Sequence, residues 1–255
     1  MTVEAVRRDT MNHEWLGLDN ARVFVAGAGG IGRRLAGAFA EAGARVVVAD
    51  ANASSLDSLS GVATIQGDLT DSEACDAVVS HAHAELGAID VFIHAIGINR
   101  RLPVLETEDE TFDDIIRVNL TSAFRLARRI GGGMCEQGYG RMVFISSVSG
   151  RMAHAHHAPY AASKAGLDQL AKVMAREWAP SGVTVNTIAP GYLETDLTRT
   201  YLQKPGMLES MVDLVPAGRL GTVDDLTGPA LFLASRQSSF VTGQVLYVDG
   251  GRILV

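Results

Sequence analysis

A hydroxyl, a phenol and an ammonium follow one another at intervals of thirteen and four residues in this 255-residue chain. Tyr160 and Lys164 are four residues apart within Pro159–Ala179, a stretch that reads as a helix. That spacing puts both side chains on one helical face, one turn apart. A phenol ionises only near pH ~10 and is a poor acid or base at neutrality. A nearby ammonium favours the phenolate and moves it towards useful proton transfer. Ser147, ahead of them at the end of an expected strand, offers a hydroxyl to a substrate oxygen. Alone, a Tyr-x-x-x-Lys pair fits an ordinary helix surface as well as it fits an active site. Its meaning depends on the elements around it.

Those elements alternate. Ala21–Ala26, Arg45–Ala49, Val62–Gln66, Ile89–Ala95, Arg141–Ser146, Val183–Ile188 and Gln244–Val248 read as seven strands. Helical patterns fill Ile31–Ala42, Asp71–Glu85, Thr107–Cys135 (with a break expected near Gly131–Gly133), Pro159–Ala179 and Val223–Ser235. Apolar strands alternating with helices predict an α/β fold, one doubly wound domain with a seven-stranded parallel sheet and helices on both faces. Residues 1–17 read as an N-terminal tail or oligomer contact, and 18–255 as the domain. The segment at about 192–217, amphipathic and poorly punctuated, suits a substrate lid, though a plain surface hairpin is equally compatible.

With 47% hydrophobic residues the chain can bury a large core. A net charge of −7 argues against general nucleic-acid binding, which needs a basic surface. No stretch approaches the roughly 18 consecutive apolar residues of a membrane span. The first residues are too polar for a secretory signal. Two cysteines, Cys75 and Cys135, give neither a disulfide framework nor metal spacing, which points to a reducing cytoplasm.

Gly27-Ala28-Gly29-Gly30-Ile31-Gly32 has the form GxGxxG between the first strand and the first helix. Glycine lets the backbone turn tightly and approach a pyrophosphate, which then sits on the helix N-terminus. Asp50, at the end of the second strand, can accept hydrogen bonds from the adenosine ribose hydroxyls and would repel a 2′-phosphate, so NAD is expected over NADP. Arg33 and Arg34 weigh against this if either reaches a phosphate, and otherwise point to solvent or the pyrophosphate. Asp68 could bound the adenine, with Leu69 beside it, or could equally cap a helix.

With these pieces assembled, the chain resembles the short-chain dehydrogenase/reductase family from about Leu18 onward. The matching residues are the glycine turn, Asp68, Asn119 in VNL, Ser147, Tyr160 with Lys164, Asn186 in VNTIAPG, Pro190-Gly191, Thr195, and the late VTGQVLYVDGG. Two departures stand out. The turn is one residue shorter than the family's Thr-Gly-x-x-x-Gly-x-Gly and begins with Ala26, and His94-Ala95-Ile96-Gly97 replaces Asn-Asn-Ala-Gly. His94 reads as a packed, hydrogen-bonded histidine.

The resemblance implies four catalytic residues, Asn119, Ser147, Tyr160 and Lys164. Tyr160 would be general acid and base, Lys164 would hold the nicotinamide ribose, Ser147 would orient the substrate oxygen, and Asn119 would hold a relay water. It implies cofactor contacts at Gly27, Gly29, Gly30, Ile31, Gly32, Asp50, Asp68, Leu69, Gly97, Tyr160, Lys164, Pro190, Gly191 and Thr195, and a homotetramer. Substrate contacts are expected from Arg100 and Arg101, which could bind an anionic end, and from His154, His157 and Tyr192. The runs GINRRLPVLE and PGYLETDLTRTYL resemble those of gluconate 5-dehydrogenase and deoxygluconate dehydrogenase members, which makes a sugar acid or polyol the leading substrate. The alternatives are a 3-oxoacyl thioester reductase and a nucleotide-sensing module without chemistry. HAHH at 154–157 invites a metal reading, but no local carboxylate or cysteine joins it, and none is expected.

Overall fold

The computed structural model describes residues 13–194, 203–204 and 206–255. Its strands are β1 (Arg22–Ala26), β2 (Arg45–Asp50), β3 (Ala63–Gln66), β4 (Val91–His94), β5 (Gly140–Ile145), β6 (Val183–Pro190) and β7 (Val245–Val248). They form one sheet in the order β3-β2-β1-β4-β5-β6-β7, every pair parallel. The helices are α1 (Gly30–Glu41), α2 (Ala53–Asp57), α3 (Ser72–Leu86), α4 (Asp109–Ile116), α5 (Ser122–Glu136), α6 (Ala158–Trp178), α7 (Met207–Val212) and α8 (Thr227–Ala234).

Alternation along the strands sorts the core into two layers. Phe24 and Ala26 of β1, Phe92 of β4 and Phe144 of β5 face the layer of α3, α5 and α6. Val23 and Val25, with Val91, Ile93 and Ile145, face α1 and α8. Phe24 stacks on Phe92 at 5.6 Å between ring centres, and Phe92 meets Phe144 edge-on at 6.2 Å. The chain reverses its direction of travel across the sheet between β1 and β4. A doubly wound sheet binds ligands beyond the strand carboxyl ends at such a switch point.

Several boundaries differ from expectation. The stretch after β4 is broken by a π turn at Arg117–Thr121, and α5 runs unbroken through Gly131–Gly133. Gly131 serves contact with α6, since a Cβ there would meet the Trp178 ring at 2.8 Å. Packing thus outweighs the weak helix propensity of glycine. His13–Leu16 is a short 3-10 turn whose Leu16 is buried in the α1/α8 layer, so the domain reaches further back than residue 18. α2, capped by Asn52 on the Ser54 N–H, was not expected at all.

Candidate active site

The glycine turn leaves β1 for α1. Gly27 has φ +106°, and a Cβ there would lie 3.0 Å from the Ala95 main chain. At Gly32 a Cβ would lie 1.9 Å from the Gly27 carbonyl oxygen, so the turn closes only without side chains. Gly29 and Gly30 differ, because a Cβ on either would meet nothing within 4 Å. Gly29 caps α1 without a side-chain hydrogen bond, and the first turn of α1 carries no acidic residue. By contrast, Asp71 caps α3 through the Ala74 N–H. An uncapped helix start beside open space fits a pyrophosphate.

Asp50 ends β2 with its carboxylate turned to the turn, accepting from the Ala28 N–H at 2.7 Å and the Asn52 N–H at 2.8 Å. It braces the shortened turn. Arg34 reaches neither solvent alone nor a phosphate, because it pairs with Asp224 and Glu41. Asp68 is no helix cap: it accepts from the Thr70 N–H and hydroxyl, which hold its carboxyl below the usual range. The Leu69 side chain is buried in the core, and its carbonyl accepts from the Cys75 thiol.

Tyr160 and Lys164 lie on the first turns of α6, which starts with Pro159 in its first turn. Lys164 is 3% exposed, and its Nζ donates to the Ile145 carbonyl at 2.8 Å. Burial brings its pKa down to about 8, against the pull of Asp168 one turn further along α6. The Lys164 Nζ stands 5.7 Å from the Tyr160 ring centre. Burial raises the Tyr160 phenol above its ordinary value, with Ser147 and Arg101 pulling part of the way back. Desolvation is the largest of these influences on the phenol. Ser147 follows β5, is 9% exposed, and accepts from the Ser149 N–H at 3.1 Å.

Asn119 sits in the π turn, fully buried. Its Oδ1 accepts from the Ile98 N–H at 2.8 Å, and its Nδ2 donates to the Ile98 carbonyl and the Ser163 hydroxyl, each at 3.0 Å. The amide thus fixes the loop after β4 against α6. Within that loop Gly97 faces Lys164, as a Cβ there would lie 3.4 Å from its Nζ. His94, 0% exposed, bonds Ser122 through Nε2 at 2.9 Å, while Nδ1 finds no partner among the described residues. Burial first, then Lys164, brings its pKa down to about 3. It is a neutral, packed histidine.

Part of this set opens onto one cleft of about 750 Å³ at the switch point, whereas Gly27, Gly29, Gly30, Gly32, Asp50, Asp68, Leu69 and Asn119 are not among its lining residues. Ile31, Gly97, Ser147, Tyr160, Lys164, Pro190 and Gly191 line it, as do Arg101, His154, His157 and Tyr192. Arg100 does not; it is exposed outside the cleft. Of the expected lid, Tyr192, Lys204, Met207, Met211 and Leu214 line the cleft, while Thr195 lies outside the described residues. His156 has φ +65° and its carbonyl accepts from the Leu102 N–H, joining the histidine loop to the loop after β4.

Residues 25–252 match the family described as Enoyl-(Acyl carrier protein) reductase. The chain is 38% identical over 243 residues to galactitol 2-dehydrogenase (L-tagatose-forming) of Cereibacter sphaeroides, covering 92% of this chain and 95% of that one. It is 37% identical over 233 residues to the 3-oxoacyl-[acyl-carrier-protein] reductase FabG of Escherichia coli K12, covering 89% and 94%. A solved gluconate 5-dehydrogenase from Burkholderia cenocepacia, in complex with NADP and tartrate, superposes with TM-score 0.86 at 36% identity, covering 93% and 96%. The chain belongs to the short-chain dehydrogenase/reductase family. It is an oxidoreductase acting on CH–OH groups.

Within this short-chain dehydrogenase/reductase, Ser149, Asn99 and Arg252 line the cleft and escaped sequence reasoning. So did Asp168, which is not part of the lining but lies one turn after Lys164 and accepts from the Thr187 hydroxyl at 2.8 Å; continuing the Tyr160–Lys164 ladder by four would have found it. Arg252 is brought from the far end of the chain and carries no local signal. Asn186 is structural, tying the Val241 carbonyl and Gln244 N–H to β6.

Proposed function

We propose that this protein interconverts a secondary alcohol and a ketone on a sugar acid or polyol, with NAD as the preferred cofactor. The observation that carries the reading is the convergence of Ser147, Tyr160 and Lys164 on one cleft bordered by the glycine turn that opens α1. A nicotinamide dinucleotide, held by Gly27–Gly32, Asp50, Gly97, Lys164 and Pro190-Gly191, would supply the hydride acceptor in oxidation and the donor in reduction. Ser147 donates a hydrogen bond to the reacting oxygen and fixes its orientation. The Tyr160 phenolate takes the hydroxyl proton in oxidation, and the phenol returns it in reduction. Lys164 stabilises the phenolate and passes the proton onward through water near Asn119, whose amide positions the loop around it.

NAD is favoured because a carboxylate at the end of β2, Asp50, would repel a 2′-phosphate, and the following residues, Ala51-Asn52-Ala53, bring no cation. The NADP named with the Burkholderia structure makes cofactor choice the first matter to measure. The sugar-acid preference draws on the tartrate and gluconate in that protein's name and on the galactitol relative. A second reading, reduction of a 3-oxoacyl thioester, is favoured by the Escherichia coli relative and by the acyl-carrier-protein substrate in the matched family's description. The test is a panel of alditols, aldonates, hydroxysteroids and acyl thioesters with each cofactor, followed by nicotinamide absorbance. Turnover confined to thioesters with NADPH would overturn both parts of the proposal.

The free, unpaired Cys75 and Cys135 fit a reducing cytoplasm. No helix among the described residues is long and apolar enough to cross a membrane. Exposed Phe112, Phe124 and Val173 on α4, α5 and α6 supply an apolar face for the homotetramer, and sizing chromatography at the monomer mass would refute it.

A further inference from the structure

The cleft is charged against the trend of the molecule. The chain carries 29 acidic and 22 Lys or Arg residues. Yet the described lining of the cleft holds Arg101, Lys164, Lys204 and Arg252 and no Asp or Glu. Arg252 is the notable one, because it is only 8% exposed. Its Nε donates to the Tyr192 hydroxyl at 3.4 Å, its Nη1 donates to the Val255 main-chain oxygen at 2.7 Å, and its guanidinium lies 5.5 Å from the Tyr192 ring centre. Among the described residues, Nη2 has no hydrogen-bond acceptor and no Asp or Glu side chain pairs with the group.

The Tyr192 hydroxyl also meets His154 Nε2 at 3.2 Å, and His154 Nδ1 meets the Ser149 hydroxyl at 2.9 Å. The Ser149 N–H donates to the Ser147 hydroxyl. One line of hydrogen bonds therefore runs from the serine that faces the reacting oxygen to a buried guanidinium elsewhere in the same cleft. A buried guanidinium donor left without an acceptor is unfavourable. A ligand carboxylate would meet its remaining donor through charge-assisted hydrogen bonds.

We propose that Arg252, with Tyr192 and His154, seats the carboxylate of a polyhydroxylated monocarboxylic acid and so sets which of its carbons faces Tyr160. This rests on the hydride-transfer reading above and selects the acid over the neutral polyol. Tyr192 and His154 hold the guanidinium in place and offer polar atoms to the hydroxyls beside the carboxylate.

The test compares a six-carbon aldonate with the alditol of the same configuration, in wild type and in Arg252→Gln, Arg252→Lys and Tyr192→Phe. Wild type is expected to prefer the aldonate in kcat/KM by about tenfold or more, the worth of one charge-assisted hydrogen bond. Arg252→Gln is expected to raise KM for the aldonate about tenfold with a much smaller change in kcat, and to shift the alditol far less. Arg252→Lys should restore part of the loss, since it keeps the charge but not the fork. Equal wild-type efficiency on the two compounds, or equal KM losses on both, would overturn the seat. If Arg252→Gln does not fold, wild-type selectivity and Tyr192→Phe decide the matter by the same split. If neither compound turns over with either cofactor, the hydride-transfer reading fails first. The seat is then read by melting temperature: aldonate, but not alditol, should stabilise wild type, and absence of that difference rejects it.

Discussion

Lys164 donates its ammonium to the Ile145 carbonyl at 2.8 Å, and its Nζ stands 5.7 Å from the ring centre of Tyr160 on the preceding turn. Burial holds the phenol above its ordinary pKa, with Ser147 and Arg101 opposing it. Tyr160→Phe keeps the ring and removes the transferable proton. Turnover is expected to fall by about 10²–10⁴, the usual worth of a general acid–base group. Fluorescence titration should show the nicotinamide cofactor still binding. Turnover near the wild-type level would remove Tyr160 from the mechanism.

Lys164 also leaves a mark on stability. Its folded pKa is about 8, below its ordinary 10.5. Between those values the unfolded chain binds a proton that the folded one has released, so stability rises with pH through this window. Below about pH 8 both states hold the proton, and the burial penalty is constant. Wild type is therefore expected to gain urea resistance relative to Lys164→Met as pH goes from 8 to 10. Parallel curves for the two proteins would contradict this.

His94 gives the opposite end of the pH scale. Its pKa is brought from 6.5 to about 3, so the unfolded chain takes up a proton that the folded site refuses. Stability supplied by the neutral ring falls as pH drops from 6.5 towards 3. His94→Asn, which can still bond Ser122, is expected to show a flatter loss over that range. Acid titrations followed by circular dichroism would check it, and equal slopes would count against the burial argument.

Asp50 has two duties, and one substitution separates them. Asn keeps an oxygen for the Ala28 N–H but removes the charge beside the ribose. Asp50→Asn is expected to narrow the NAD-over-NADP ratio by about tenfold or more while the turn holds, whereas Asp50→Ala should weaken both cofactors. Dissociation constants for the two nucleotides would decide this, and a wild type that binds NADP more tightly would reverse the cofactor assignment.

The sheet was legible because its strands are apolar runs ended by glycine or Asp, and parallel strands buried on both faces read that way. Tyr160, Lys164 and Ser147 were legible because helix and strand geometry converts spacing into direction. What stayed hidden depends on partners distant in sequence. Gly131 looks like a helix breaker until Trp178 is beside it. Arg34 looks free until Asp224 arrives from the other end of the chain. The sign of the Tyr160 shift needed burial, which no spacing reports. Arg252 needed the whole fold.

The loop after β4 is fastened at both ends, at Ile98 by the Asn119 amide and at Leu102 by the His156 carbonyl. That side of the cleft is a fixed doorpost. Across from it, α7 rests on a small separate cluster of Met211, Val215 and Leu220, outside the two main core layers. Elements with few buried apolar contacts open at the lowest free energy. Amide hydrogen exchange is therefore expected to run faster in α7 than in the strap carrying Gly97 and Arg101, and equal rates would count against this asymmetry.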